Sequence, residues 1–187
     1  VSIVEALGLS EGDTITVYKA NMIIPQVLEN QTRRGTPVIP DRCPVCGAPT
    51  KVIQPEDSKI LICPNPECAA KQLGHFVHFV CRDAMNIDGL STETLRKFLD
   101  AGILTGLDSI FRLPEQRDGI CSMEGFGQAS YENLCQSIEK ARMTDIQHLL
   151  YALGIENVGR TASRPTCARF DYEPVRILMA TMERFLE

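Results

Sequence analysis

Four cysteines in two close pairs are the residues of this chain whose spacing points most directly to a chemical role. Cys43 and Cys46 are separated by two residues, Cys63 and Cys68 by four, and sixteen residues lie between the pairs. Four thiolates can surround Zn²⁺ tetrahedrally, as in closed structural zinc sites. The spacing therefore predicts a structural zinc finger over residues 41–72. Zinc ligation would also supply roughly 10–16 kcal/mol of folding free energy to a segment too short for a core of its own.

Two alternatives to a four-cysteine zinc site stay open at the level of sequence. The two pairs can form disulfides or remain free thiols, and His75 or His78 can replace a cysteine as ligand. A closed set of four cysteines needs neither histidine. The total of eight cysteines and their spacing favour a reducing cytoplasm with one metal site. The other four are predicted to be core thiols: Cys81, Cys121, Cys135 and Cys167.

A second pattern recurs three times between helix-like segments: an apolar residue, any residue, glycine, an apolar residue, glycine. We call the copies corner 1 (residues 87–91), corner 2 (residues 123–127) and corner 3 (residues 155–159). Their glycines are Gly89 in corner 1, Gly125 and Gly127 in corner 2, and Gly159 in corner 3. Ser91 and Asn157 stand where corners 1 and 3 lack a glycine.

These corners are predicted to present backbone N–H groups at the N-termini of helices. Unsatisfied N–H groups and the positive end of the helix dipole attract anions such as phosphate. Glycine permits close approach because it has no Cβ. Contacts of this kind grip a nucleic-acid backbone without reading its sequence. The alternative is that the corners only connect the helices of an α-solenoid or a bundle.

The spacing of apolar residues and the capping residues predict where the helices next to the corners begin and end. Ser91 is predicted to cap a helix that ends near Gly102. Thr144, with Gln147 three residues later, is predicted to open another helix that ends at Gly154. The buried faces follow from apolar residues at i, i+3 and i+4: Leu95, Phe98 and Leu99 on the first of these helices, and Tyr131, Leu134, Cys135 and Ile138 after corner 2.

The first forty residues read as β structure. Residues 14–18 and 22–24 have high β propensity and are joined by a short break, which predicts two strands. Two strands need additional sheet around them to be stable. A connector rich in proline, glycine and charge follows, up to about residue 40.

Composition bounds the class of protein. The chain has 187 residues, of which 44% are hydrophobic and 23% charged, as in ordinary globular proteins. Its net charge of −5 argues against an all-over basic nucleic-acid binder but allows a local phosphate-binding surface. The sequence contains no apolar run of about 20 residues and no signal peptide, so a cytoplasmic monomer without membrane contact is expected.

The chain resembles the bacterial NAD⁺-dependent DNA ligases in six segments that occur in the order of that family: EGDTITVYKANMIIPQV, CPVCG, CPNPECAAK, HFVCRDAMNIDGLS, MEGFGQASYENLCQSIEKAR and LLYALGIENVGRTAS. The resemblance covers essentially the whole chain. It implies a mixed, mainly α fold: the C-terminal part of an OB-fold over residues 1–40, a four-cysteine zinc finger over 41–72, and a helix-hairpin-helix domain of about three hairpins over 73–187.

The resemblance also implies a function. The family seals a 5′-phosphate to a 3′-hydroxyl at a nick in duplex DNA during replication and repair, with NAD⁺ adenylating the enzyme and Mg²⁺ assisting. The motif Lys-x-Asp-Gly, which carries the adenylated lysine of that family, does not occur in this chain. The chain is therefore expected to be a DNA-binding fragment that holds zinc, has no catalytic residue of its own, and is inactive alone.

Individual DNA contacts are implied in the same way. Lys19 and Asn21 are placed in the turn of the strand pair, which faces the minor groove in the family. Arg160 follows corner 3 and is the better phosphate candidate, whereas Arg82 and Lys97 are weaker ones. Pro165 is predicted to kink or break the helix after corner 3.

Two other classes of protein compete with this interpretation. The first is a stand-alone DNA- or junction-binding module whose parent has no ligase activity. The second is a zinc-ribbon adaptor that binds other proteins. A covalent AMP adduct formed by the full-length parent from labelled NAD⁺ separates ligase from module, and a salt titration of duplex binding separates DNA binder from adaptor.

Overall fold

The computed structural model describes residues 1–55, 58–155 and 157–163. Contacts between residues divide the chain into two units, and the boundary lies between Ala69 and Ala70. The expectations for Pro165 and Cys167 concern residues outside the described ranges. The division into an OB-fold segment, a finger and a hairpin domain stays a prediction.

The first unit begins with a short helix and a strand pair. Helix α1 spans Ser2–Leu7, strand β1 Ile15–Ala20 and strand β2 Ile24–Asn30. The strands pair antiparallel from Ile15 opposite Asn30 to Ala20 opposite Ile24, with a bulge between Thr16 and Val17. The predicted pair of strands is confirmed. Whether it belongs to an OB-fold stays a prediction, because one two-stranded sheet does not define that fold.

One position in this hairpin differs from the expectation. Lys19 lies within β1 and pairs with Pro25, so it is not in the turn. The turn consists of residues 21–23, where Asn21 and Met22 have φ of 50° and 65°. The backbone reverses there because the Met22 N–H donates to the Lys19 carbonyl at 3.3 Å.

A single carboxylate joins the helix, the hairpin and the connector of the first unit. Asp13 accepts hydrogen bonds from the backbone N–H of Arg34 at 2.8 Å and from the Asn30 side chain at 2.8 Å. Ser10 and Thr32 add further donors at 2.8–2.9 Å. The Arg34 N–H and the Ser10 and Asn30 donors, against an opposing effect of burial, hold the pKa of Asp13 well below its usual range.

The second strand pair follows in the cysteine-rich segment. Strand β3 spans Lys51–Ile53 and β4 spans Ile60–Ile62, paired antiparallel. The residue before β4 also contacts α1, because the Lys59 N–H donates to Ser2 Oγ at 2.6 Å and its ammonium lies 2.8 Å from Glu5. This segment and the first hairpin therefore belong to one unit.

The second unit is helical in the part of the chain that the structure describes. Its helices, in order, are α2 Ala69–Val80, α3 Thr92–Asp100, α4 Arg117–Cys121, α5 Gln128–Ala141 and α6 Ile146–Ala152, with a 3₁₀ segment over Leu107–Glu115 between α3 and α4. Among the described residues, no helix combines the length and apolar character needed to cross a membrane. The fold is thus mixed, with short strand pairs in the first unit and helices in the second.

The buried faces predicted for α3 and α5 form the core of this unit. Leu95, Leu134 and Ile138 are 0% exposed, and Phe98 is 1% exposed. The rings of Phe98 and Phe126 lie 5.5 Å apart, so the helix after corner 1 packs against corner 2. Leu99 and Cys135 lie at the edge of the same core and are only partly buried.

The helix ends are confirmed in part. Ser91 caps α3, because its hydroxyl accepts from the Thr94 N–H at 3.1 Å. The prediction for Thr144 is wrong: Asp145 is the N-cap of α6, and its carboxylate accepts from the His148 N–H at 2.9 Å. A carboxylate is both a good hydrogen-bond acceptor and a favourable charge at a helix N-terminus, so it displaces the hydroxyl one residue earlier.

We expect Asp13→Asn to lower the melting temperature near neutral pH, because an amide cannot accept hydrogen bonds at both of its terminal atoms. The pKa of Asp13 is lowered in the folded state. Its stabilisation is therefore complete above the unfolded-state pKa of about 3.9 and declines as the pH falls toward the folded-state value. Thermal unfolding measured from about pH 7 to about pH 2 should show the difference between the two proteins narrowing.

Glu11→Gln is the matched control for this experiment, because Glu11 is an exposed neighbour with no hydrogen bond or ion pair among the described residues. We expect its melting temperature to follow that of the original chain. A constant difference between Asp13→Asn and the original chain across the pH range would contradict the assignment.

Candidate metal centre and nucleic-acid interface

The four cysteines predicted from the sequence come together in the first unit. The sulfurs of Cys43, Cys46, Cys63 and Cys68 all lie within 4.8 Å of one another. The Cys46–Cys63 pair is 3.5 Å apart and the Cys43–Cys68 pair 3.9 Å. Tetrahedral Zn²⁺ with Zn–S bonds of about 2.3 Å has sulfurs separated by about 3.8 Å. The cluster therefore has the donor atoms and the spacing that a metal such as zinc needs.

The disulfide and histidine alternatives left open by the sequence do not fit this geometry, whereas four free thiols agree with it. The sulfur separations of 3.5 Å and 3.9 Å are far longer than a disulfide bond of about 2.05 Å, and the cysteines are free. Neither histidine joins the cluster. His75 is exposed on α2, and Nε2 of His78 lies 2.7 Å from the Tyr151 carbonyl.

Backbone groups prepare the sulfurs for a metal. The loop after Cys43 folds back so that the Cys43 N–H donates to the Ala48 carbonyl at 2.8 Å. The Ala48 N–H, aided by the Asn65 side chain, lowers the pKa of Cys46 to about 6. The N–H groups of Cys46 and Val45 also lower the pKa of Cys43. Burial instead raises the pKa of Cys63 to about 11, so that thiol needs a bound cation to ionise near neutral pH.

The three corners share one backbone conformation. Gly89, Gly125 and Asn157 occupy the same place in the pattern, with φ of 91°, 83° and 65°. Asparagine is among the residues other than glycine that tolerate this left-handed region best. The turn is closed in the same way in corners 2 and 3, where Phe126 N–H donates to Met123 and Val158 N–H to Ile155 at 3.0–3.1 Å.

Each corner leads directly into a helix. The carbonyls of Ser91, Gly127 and Gly159 accept the fourth N–H beyond them, at 2.9, 3.1 and 3.0 Å respectively. The residues that open these helices are exposed at all three corners. The helices that follow all three corners therefore begin at exposed residues of the second unit.

No side chain caps the N–H groups of corner 2. Gly127 precedes α5 and has no side chain to cap it, whereas Ser91 occupies one donor of α3. Gly127 has an ordinary φ of −96°, and a Cβ there would meet nothing within 4 Å. Glycine is therefore not required at this position by the fold. At Gly89 the constraint is the left-handed φ of 91°, because the 3.6 Å that would separate a Cβ from Leu134 is an ordinary contact.

Three positive side chains lie beside corners 1 and 2, and only one of them, Arg117, was not predicted from the sequence. Lys97, on the helix of corner 1, donates to the Glu124 carbonyl of corner 2 at 3.4 Å. Arg117 donates to the Gln128 side chain at 2.9 Å and so flanks the same corner. Arg82, together with Ser91, lines a cavity of about 610 Å³ beside corner 1. Arg117 was not predicted, because its contact with Gln128 joins two different helices, α4 and α5.

The two cations expected to touch DNA differ in their surroundings. Lys19 is exposed on β1 of the first unit, and no ion pair is recorded for it in the described chain. Arg160, the first residue of the helix after corner 3, forms an ion pair with Asp83 at 2.7 Å. Both partners are more than half exposed, with side-chain accessibilities of 54% and 57%.

Comparison with known proteins gives this arrangement a context. No family model matches the chain. A DNA ligase of Lachnoclostridium phytofermentans is 46% identical over 187 residues, which is 100% of this chain and 29% of that protein. A DNA ligase of Ruminiclostridium cellulolyticum is likewise 46% identical over the whole chain, covering 28% of its own length. One of Symbiobacterium thermophilum is 36% identical over 158 residues.

This chain therefore spans less than a third of the length of the curated relatives that it matches. The resemblance to DNA ligases is confirmed: along its entire length, the chain aligns with one segment of two proteins named DNA ligase.

Proposed function

We propose that this chain is the zinc-containing, DNA-gripping segment of an NAD⁺-dependent DNA ligase that seals nicks in duplex DNA during replication and repair. The observation that carries the proposal is the full-length match to proteins named DNA ligase, joined to three similar exposed corners on the second unit. The segment acts on the nucleic acid in the cytoplasm, as a monomer.

Zinc in the four-cysteine cluster has a structural role in this proposal. Cys43, Cys46, Cys63 and Cys68 would hold the ion, which supplies positive charge that keeps four thiolates together. Because the four sulfurs fill a tetrahedral shell, the cluster offers no vacant position for a reacting water. The ion then fixes the loops that carry the two cysteine pairs, which are short and have few buried side chains: among residues 41–68 only Cys43 and Cys68 are buried in the described part.

The corners would bind phosphates through the main chain. The first-turn N–H groups of α3 and α5, which begin at exposed residues, would face the phosphate, and the helix dipole adds a partial positive charge at the same place. Corner 2 contributes most, because its N–H groups are uncapped and Lys97 and Arg117 lie beside it. Such contacts are independent of base sequence, as a nick-sealing enzyme requires.

The chemistry of joining belongs to other parts of the parent enzyme. The chain lacks the Lys-x-Asp-Gly motif, so the lysine that takes up AMP from NAD⁺ and the groups that hold Mg²⁺ would lie elsewhere. The residues described here hold and orient the duplex. Full-length parent protein incubated with labelled NAD⁺ should acquire a covalent AMP label, whereas labelled ATP should give none. Labelling by ATP alone, or by neither cofactor, would contradict the NAD⁺-dependent assignment.

Zinc content tests the metal centre. The purified chain should contain about one zinc ion per molecule by atomic emission spectrometry. Cys43→Ser should lose most of it, because a hydroxyl is a poor ligand for Zn²⁺, and the N–H signals of the finger should lose their dispersion in NMR spectra. Cys81→Ser is the matched control, since Cys81 lies outside the cluster. Equal zinc in the Cys43 variant and the control would overturn the site.

Gly127→Leu tests the phosphate-binding role of corner 2. Its backbone conformation accepts any residue and the site has open space, so the chain should fold as before. The side chain should block the approach of a phosphate and weaken binding to a nicked duplex. We expect a loss of about fivefold to thirtyfold, the equivalent of ~1–2 kcal/mol for charge-assisted hydrogen bonds. Preference among duplex sequences should not change.

The control for this substitution is Gly74→Leu, at an exposed glycine of α2 where a Cβ also meets nothing within 4 Å. Gly125→Leu is a poor test, because its φ of 83° makes any side chain strained. Binding is followed by fluorescence anisotropy over a range of salt concentrations, where the slope of log K against log salt counts the phosphates engaged. Equal affinity of the Gly127 and Gly74 variants would contradict the interface at corner 2.

A further inference from the structure

We propose that Asp83 is a competitor for the phosphate that Arg160 binds, so that DNA engages corner 3 only by exchanging one anion for another. The proposal rests on the DNA-binding function proposed above and names a residue that limits it. The structural basis is the ion pair that joins the segment after α2 to the helix that follows corner 3, over 77 residues of sequence.

The pair occupies the position where a phosphate would be expected. Arg160 is the first residue of the helix after Gly159, and the residues around it, Gly159 and Thr161, are exposed. Its guanidinium Nη1 donates to Asp83 Oδ1 at 2.7 Å. The two side chains border a cavity of about 40 Å³ that Gln147, His148 and Tyr151 also line. The Asp83 carboxylate therefore pairs with Arg160, the cation that directly follows corner 3.

The contact is built so that an incoming anion can replace it. Only one hydrogen bond joins the two groups, so the remaining N–H groups of the guanidinium fork are not used by Asp83. Phosphate suits that fork better, because it can accept two parallel N–H bonds. Both partners are more than half exposed, and such ion pairs contribute little to stability because water and salt screen them. The exchange therefore costs little.

Arg160 differs in this respect from the cations beside corner 2. Lys97 donates to a backbone carbonyl, and its nearest carboxylate, Glu93, is 3.9 Å away. Arg117 donates to the neutral amide of Gln128. Their positive charge is available to a phosphate without displacing a close carboxylate. Of these three cations, Arg160 alone is shown with a carboxylate within hydrogen-bond distance.

A purely structural role for the ion pair predicts that removing Asp83 changes DNA affinity in the opposite direction. If Asp83 only fastened Arg160 in place, its removal would loosen the cation and weaken DNA binding. If Asp83 competes, its removal frees Arg160 and strengthens binding. The sign of the effect of Asp83→Asn therefore separates the two roles, provided that the change in net charge is controlled.

The experiment is a double-mutant cycle on the zinc-loaded chain, read by anisotropy with a nicked duplex. Asp83→Asn should raise the affinity about twofold to fivefold relative to Asp100→Asn, a change of equal charge at an exposed residue that ends α3. In the Arg160→Gln background, Asp83→Asn should give no more than the Asp100→Asn effect, because the cation that it frees is gone.

The outcomes of this cycle test the exchange at Arg160 separately from DNA binding by the chain. A weaker complex with Asp83→Asn, or an increase that persists in the Arg160→Gln background, overturns the exchange while leaving DNA binding by the chain intact. Failure of the original chain, of Gly127→Leu and of every cycle variant to bind duplex at any salt concentration overturns the proposed function and the exchange together. An increase that depends on Arg160 establishes the exchange.

Discussion

The left-handed backbone residue at each corner is the constraint on which the second unit depends. Gly89, Gly125 and Asn157 reverse the chain between two helices, so that the next helix starts at exposed residues. The same corners hold the core together from inside, because Leu90 is buried and Phe126 packs on Phe98. Corners 1 and 2 therefore contribute side chains to the core and also set where the next helix begins.

The first unit is held together by different means. Its hairpin exposes much apolar surface, including Met22 at 87% and Ile23 at 79%, so hydrophobic burial contributes little there. Polar connections take its place: Asp13 and Asn30 link α1, the strands and the connector, and four sulfurs gather the loops of the finger. Removing either the carboxylate network or the metal would leave few other contacts to preserve the arrangement.

The features that sequence reasoning found are those encoded within a few residues. The cysteine cluster could be predicted from spacing because each pair lies on one tight turn. The buried positions of Leu95, Phe98 and Leu134 could be predicted from the helical period. Local choices between neighbouring candidates were less secure, as the cap at Asp145 instead of Thr144 shows. Contacts between distant segments were missed: Arg117 with Gln128 and Asp83 with Arg160 arise from packing and leave no periodic trace.

Main-chain donors at the corners have a practical consequence for handling the protein. N–H groups carry no net charge, so an interface built on them leaves the overall balance acidic, with an isoelectric point of about 5.3. At neutral pH the chain should be retained by anion-exchange resin and pass through a sulfonate cation-exchange resin, which selects proteins by basic charge alone. Screens that select nucleic-acid-binding proteins by basic charge would overlook this type of surface.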